Sequence, residues 1–247
     1  METNYSKHAA YWDWDLYDRS EELDFWNKMA LKYGKTVLSP MCAIGQAASY
    51  MANKGYIVTA LDYTKEMVAE GQKRFGGIPG LAFVYGDIRT YQFEKAFDFC
   101  FIDGTDLHLL LTLEDVKLAL CNIHRYLRAG GGFGLEVVYP FTQSHSDPMK
   151  RFDPRVPRND GTVIWKEGSS NYNAITKRQD IHQVVCVQKD GKIERIGHNV
   201  SLQYYDREEI YQAFHECGFA VAGEYCDRYF HKSSIPCENC YIELNKI

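Results

Sequence analysis

Two kinds of apolar block alternate along the first half of this chain. Val37-Leu38, Tyr56 to Leu61, Leu81 to Tyr85, Phe97 to Asp103 and Phe133 to Val138 are compact apolar runs of strand length, the pattern of strands buried on both faces. Between them, Leu23, Trp26, Ala30 and Leu31 recur at helical spacing, as do Ala47, Ala48, Met51 and Ala52, and again Val116, Ala119, Leu120, Ile123 and Leu127. Ser20, Thr64 and Thr112 with Asp115 stand where helices need caps, and Gly55 and Gly130 to Gly132 where they need stops. Strand and helix in strict alternation predict βαβ units and a parallel sheet.

After Val138 the pattern changes. From Tyr139 to about Arg178 it dissolves into Pro, Asp, Ser and Asn, and residues 181–188 and 192–204 then read as two strands around Asp190-Gly191, a strong hairpin turn. Asp206 with Glu209 caps a last helix through Ile210, Ala213, Phe214 and Cys217, Gly218 ends it, and two strands follow. The expected architecture is α/β: a Rossmann-like seven-stranded, mostly parallel sheet with a terminal antiparallel strand, and a small antiparallel β lid inserted after strand five. One domain spanning 1–247 is expected, with the lid at about 140–204.

Composition narrows the function. Of 247 residues 45% are hydrophobic, enough for a substantial core, and the net charge of -5 disfavours a general nucleic-acid or membrane surface. No apolar run approaches the ~20 residues of a membrane span. A cytoplasmic protein acting on a small molecule is the expectation, and its eight cysteines then read as reduced thiols. Cys226, His231, Cys237 and Cys240 include half of a zinc spacing, but buried thiols in terminal strands explain them as well, so no metal is assigned.

The stretch from Thr36 to Met67 carries the chemistry. A strand breaks at Pro40 into a tight loop closing on Gly45, a small-residue helix follows, and a second strand delivers Asp62 at its end. Such a unit binds a nucleoside, the carboxylate accepting bonds from ribose hydroxyls. A dinucleotide fingerprint would need glycines where Pro40 and Cys42 stand. The stretch instead resembles the first motifs of class I S-adenosylmethionine-dependent methyltransferases of the small-molecule type, in Cys42, Gly45 and Asp62. It departs from them at Ser39, usually an acid, and Ala43, usually a glycine. The likeness continues through Gly86-Asp87-Ile88 and the run from Leu110 to Val137, where Ala129 replaces a proline, to the final helix and strands.

That resemblance implies S-adenosyl-L-methionine as cofactor and methyl transfer to oxygen or nitrogen of a small molecule. It implies cofactor contacts from Tyr17, Ser39, Met41, Cys42, Ala43, Gly45, Asp62, Tyr63, Met67, Asp87, Ile88 and Asp103, with Asp87 on the adenine amine and Tyr17 folding over the cofactor. His108, just past strand four, is the expected base, with Tyr17 beside it in catalysis and His145 as alternate. Tyr11, Tyr139, His145, Arg151 and Arg155 are expected to meet the acceptor. The cluster of Lys150, Arg151, Arg155 and Arg158 suits an anionic acceptor as well as a solvated loop. Ser39 and Ala43 also leave open a protein that binds the cofactor without methyl transfer, or uses it for another reaction.

Overall fold

The computed structural model describes residues 5–13, 17–232, 237 and 239–247, with side chains for all of these except 5, 6 and 148–154. In chain order the elements are α1 (Tyr5–Ala9), α2 (Ser20–Ala30), β1 (Thr36–Pro40), α3 (Gln46–Asn53), β2 (Ile57–Asp62), α4 (Lys65–Phe75), β3 (Leu81–Tyr85) and β4 (Phe97–Ile102). A 3-10 turn (Asp106–Leu109) leads to α5 (Leu113–Tyr126) and β5 (Leu127–Val138). Then come β6 (His145–Pro157), β7 (Val163–Asn173), β8 (Arg178–Lys189), β9 (Lys192–Gln203), α6 (Arg207–Glu216), β10 (Phe219–Tyr225) and β11 (Asn239–Lys246). The chain divides into two compact units, Met1–Asp18 with Phe141–Gln203, and Arg19–Pro140 with Tyr204–Ile247.

The second unit holds a seven-stranded sheet in the order β10-β11-β5-β4-β1-β2-β3. Strands β1 to β5 are parallel, and β11 runs antiparallel between β5 and β10, as the alternation of blocks predicts. Because side chains alternate across a strand, each central strand feeds two cores. Val37, Val58, Phe99 and Phe101 pack with Trp26 and Met29 of α2 and Ala48 and Met51 of α3. Leu38, Cys100, Ile102, Leu135 and Val137 pack with Val116 and Leu120 of α5 and Ile210 and Phe214 of α6. Each such side chain contributes about 1.5–3 kcal/mol on burial.

Several local expectations are corrected. Arg19, not Ser20, occupies the cap position of α2, and Leu31 ends that helix exposed rather than on its buried face. Gly132 and Gly134 lie inside β5. A Cβ there would fall 2.2 Å from the Tyr33 ring or 2.7 Å from Met29 Sδ, so these glycines let α2 approach the sheet. The caps at Thr112 and Asp206 form as expected, Thr112 accepting from the Asp115 amide at 3.1 Å and Glu209 reaching back to the Asp206 amide at 2.8 Å.

The first unit is a four-stranded antiparallel sheet in the order β6-β7-β8-β9. The stretch read as irregular, 139–178, therefore supplies two long strands. Ile164, Val185, Val187 and Ile196 pack with Tyr11 and Val156 in one cluster, and Trp165, Val184 and Cys186 form another. In α1, Lys7 pairs with Glu194 and His8 stacks on His198 at 4.3 Å between ring centroids.

The expectation of reduced thiols also changes. Cys121 of α5 is disulfide-bonded to Cys217 after α6, and Cys226 to Cys237, with Cα separations of 4.8 Å and 5.6 Å, within the span a disulfide bridges. Cys42, Cys100, Cys186 and Cys240 are free thiols. Among the described residues no group of three His, Cys, Asp or Glu side chains is arranged to hold a metal.

Candidate active site

The parallel strands end along one edge of the seven-stranded sheet, where open α/β sheets take their ligands. The loop after β1 turns by placing alternate residues in the left-handed region: Met41 at φ 55°, Ala43 at 49° and Gly45 at 79°. Gly45 is required there twice over, since a Cβ would lie 2.4 Å from Cε1 of Phe83. Ala43 adopts the conformation that glycine would take freely, so the substitution keeps the loop's path at a conformational cost.

Asp62 locks this loop to the next. Its Oδ2 accepts the Ala43 amide at 2.8 Å and its Oδ1 the Thr64 amide at 2.9 Å. The side chain is buried, and burial raises its pKa while the two amides pull it back. The Thr64 side chain bonds it as well, and because each carboxylate oxygen can accept more than one donor, the group retains acceptor capacity that the hydroxyls of a diol could use.

At the end of β3, the Asp87 carboxylate is held by Arg89, whose Nε donates to both oxygens at 3.0 Å; the Arg89 amide adds a bond at 2.9 Å. Bonds from Arg89 keep the Asp87 carboxyl below its usual range. Arg89 also pairs with Asp115 of α5. Asn122, a residue the sequence reading passed over, fixes the same turn by donating to the carbonyls of Ile88 (2.7 Å) and Tyr91 (2.9 Å).

A chain of charge crosses the outlets of β4 and β5. Arg19 Nη2 donates to Asp103 Oδ2 at 2.7 Å while Trp26 Nε1 donates to its Oδ1 at 2.9 Å. Arg19 Nε also meets Glu22 at 2.9 Å, Arg228 joins Glu22 at 2.8 Å, and the buried Glu136 of β5 lies 3.8 Å from Arg228. Burial raises the Glu136 carboxyl, with Arg228 opposing. Among the described residues Asp62, Asp103, Asp106, Glu22 and Glu136 face Arg19 and Arg228 around these outlets, an excess of carboxyls that suits a cationic ligand.

His108 is placed differently from expectation. Its ring is fully buried, Nε2 accepts the Val138 amide at 3.0 Å, and Tyr204 and Tyr205 pack against it. A ring closed to solvent whose Nε2 lone pair holds a backbone amide is built to join the 3-10 turn to β5, and it has no open Nε2 to offer an acceptor. Asp106, two residues earlier, lies deep among protein atoms yet keeps part of its surface open.

The remaining expected residues fall into three groups. Met67 and Ile88 are core side chains, Ser39 is buried at the end of β1, and Met41 packs on the core below it. Burial and the neighbouring Asp62 push the Cys42 thiol well up. Tyr63 is 58% exposed beside Asp62, and Tyr139 packs against the β5 side of the core, burial raising its phenol. Tyr11, Tyr17, His145, Arg151 and Arg155 belong to the other unit. There Tyr17 is 62% exposed, His145 stacks on Tyr172, and Arg155 lies 4.3 Å over the Trp165 ring. Arg158 donates to the Asp13 carbonyl at 3.4 Å. The Arg151 and Lys150 side chains are outside the described residues, although both backbones pair with β7.

Comparison with known proteins is consistent with this geometry. Residues 37–131 match the family model of the methyltransferase domain. YqeM of Bacillus subtilis (strain 168), whose methyltransferase name is itself provisional, is 23% identical over 243 residues, covering 97% of this chain and 92% of its own. An S-adenosylmethionine-dependent methyltransferase from Clostridium acetobutylicum ATCC 824 has a similar fold, with a TM-score of 0.81, 15% identity and 98% of each chain covered. CalS10, an amino pentose methyltransferase from Micromonospora echinaspora solved with its cofactor, superposes with a TM-score of 0.68 at 18% identity, covering 99% of this chain and 92% of its own. The resemblance, the enzyme class and the S-adenosyl-L-methionine cofactor expected from the sequence are borne out.

Proposed function

Proceeding from a chain that carries an S-adenosylmethionine-dependent methyltransferase domain, we propose that it moves the cofactor's methyl group to a nitrogen, or failing that an oxygen, of a small molecule. The observation that carries this reading is Asp62, a desolvated carboxylate clamped between two loop amides at the sheet edge and still able to accept two hydroxyl donors. In this reading Asp62 holds the ribose, the loop 41–45 lies along the methionine portion, Asp87 and Ile88 border the adenine, and Tyr63 covers it. The bound cofactor supplies an electrophilic methyl on a positively charged sulfur. The protein aligns the acceptor with it, an arrangement that contributes about 7–11 kcal/mol when well made.

Nitrogen is preferred because the edge carries excess carboxylate, which attracts an amine, and because CalS10 is named for an amino sugar. The inserted unit follows β5 directly in the chain, and we assign it to acceptor binding through Tyr11, Tyr17, His145, Arg151 and Arg155, with Tyr139 at its start. Arg155 keeps its charge exposed while stacked on Trp165, so an acidic group on the acceptor is assigned to it and Arg151. Once an acceptor is found, Arg151→Ala and Arg155→Ala should raise its KM; unchanged KM removes the anionic feature.

Calorimetry with S-adenosyl-L-methionine tests the core of the proposal. Asp62→Ala and Asp87→Ala should each weaken binding by about 1–3 kcal/mol, since each leaves a cofactor donor unpaired. Wild-type affinity in both variants would remove the assignment.

A further inference from the structure

Asp106 is the carboxyl at this edge that the fold does not use. Among the described residues no hydrogen bond reaches it, whereas Asp62, Asp87 and Asp103 are each bonded to amides, guanidinium or indole. It opens the 3-10 turn just beyond β4. Every neighbouring outlet contributes a group that acts on it electrostatically: Asp103 after β4, Asp62 of β2, Arg19 before α2 and Glu136 of β5. Cys42 in the loop after β1 senses Asp106 in turn. It therefore sits where the outlets of β1, β2, β4 and β5 converge, beside Asp62 and Cys42 of the loops assigned to the cofactor.

We propose that the Asp106 carboxylate stands at the point of methyl transfer, where it holds an acceptor ammonium and takes its proton. The inference rests on the methyltransferase reading above. In the step, the acceptor N–H proton passes to Asp106 Oδ and frees the nitrogen lone pair. That pair forms the N–C bond to the methyl as the C–S bond breaks, its electrons remaining on sulfur. The proton on Asp106 leaves to solvent with the product. Burial, reinforced by Asp103 and Asp62, holds the Asp106 carboxyl well above the usual carboxylate range, which narrows the gap to an amine and eases the transfer. The loop that suggested His108 as base thus contains the group, two positions earlier.

Sinefungin tests the placement without a known acceptor, because it carries an ammonium where the cofactor carries its sulfonium methyl, and S-adenosyl-L-homocysteine carries neither. The ratio of the two affinities, measured by calorimetry, reports the charge at the transfer point. Wild type should favour sinefungin increasingly as rising pH ionises Asp106, whose carboxyl burial holds above the usual carboxylate range. Asp106→Asn should cut the ratio by about tenfold and flatten its pH dependence, and Asp106→Glu should restore most of it. A ratio unchanged within about twofold in Asp106→Asn, or flat with pH in wild type, overturns the proposal. If wild type binds neither ligand, the cofactor reading itself fails and this inference with it.

Discussion

Ala43 shows how much a single backbone angle can decide. At φ 49° an L-residue bears a strain of roughly 1–2 kcal/mol that glycine escapes, less the glycine's larger entropy loss on folding. Ala43→Gly should therefore raise stability by up to about 1 kcal/mol in urea unfolding; a lower midpoint would show that the alanine methyl has a packing role. Gly45→Ala should behave oppositely. With φ 79° and a Cβ only 2.4 Å from Phe83, it should cost about 2 kcal/mol or more, and less in a Phe83→Leu background, a coupling that a double-mutant cycle measures. At this scale the sequence was legible wherever a motif fixed a backbone position, as at Gly45 and Asp62. It was not legible at His108, because whether a ring nitrogen meets solvent or an amide of another strand is set by tertiary packing. Nor did the motif reveal that Asp103 would be held by Arg19 and Trp26, residues that precede it by more than seventy positions.

Among the elements, strands and helices up to β5 follow from periodicity alone, since each is amphipathic or wholly buried in the manner of its class. The strands β6 and β7 do not, because their pairing depends on β8 and their apolar positions are sparse. The usable signal was Asp160-Gly161, a turn pair like Asp190-Gly191, with Gly161 at φ 81°. Within this unit the stacked His8 and His198 are both buried, and desolvation lowers them to about 3 and about 4 respectively, with Lys166 adding. The sign follows from linkage. Both rings are neutral when folded, and the unfolded chain takes up protons below about pH 6.5. Stability from this pair is thus full above that pH and is lost as the pH falls toward the folded values. Between pH 7 and pH 5 the chain should lose on the order of 3–4 kcal/mol through these two rings. A variant with His8→Phe and His198→Phe should lose measurably less over the same range in thermal unfolding.

For the whole molecule, the seven-stranded unit is assembled from two separate segments, 19–140 and 204–247. Cys121 and Cys217 link one segment to the other across 96 positions. Cys121→Ser with Cys217→Ser should lower stability by about 2–4 kcal/mol, and a thiol reductant should bring wild type to the same midpoint. Equal stability with and without reductant would show that the bond adds nothing. The fold class was plain from the sequence because alternating blocks admit few topologies, whereas the Cys121–Cys217 pairing depends on α5 and the end of α6 meeting on one sheet face. The order of strands has a further consequence for assembly kinetics. β5 receives β11, not β6, as its neighbour, so its edge stays unpaired until a strand about a hundred residues downstream arrives. Until then the apolar side chains of Phe133, Leu135 and Val137 border an open ladder, the kind of surface that invites association between chains. A linker joining residues 140 and 204 in place of the inserted unit would shorten that search, and faster refolding with less aggregation is the expected signature.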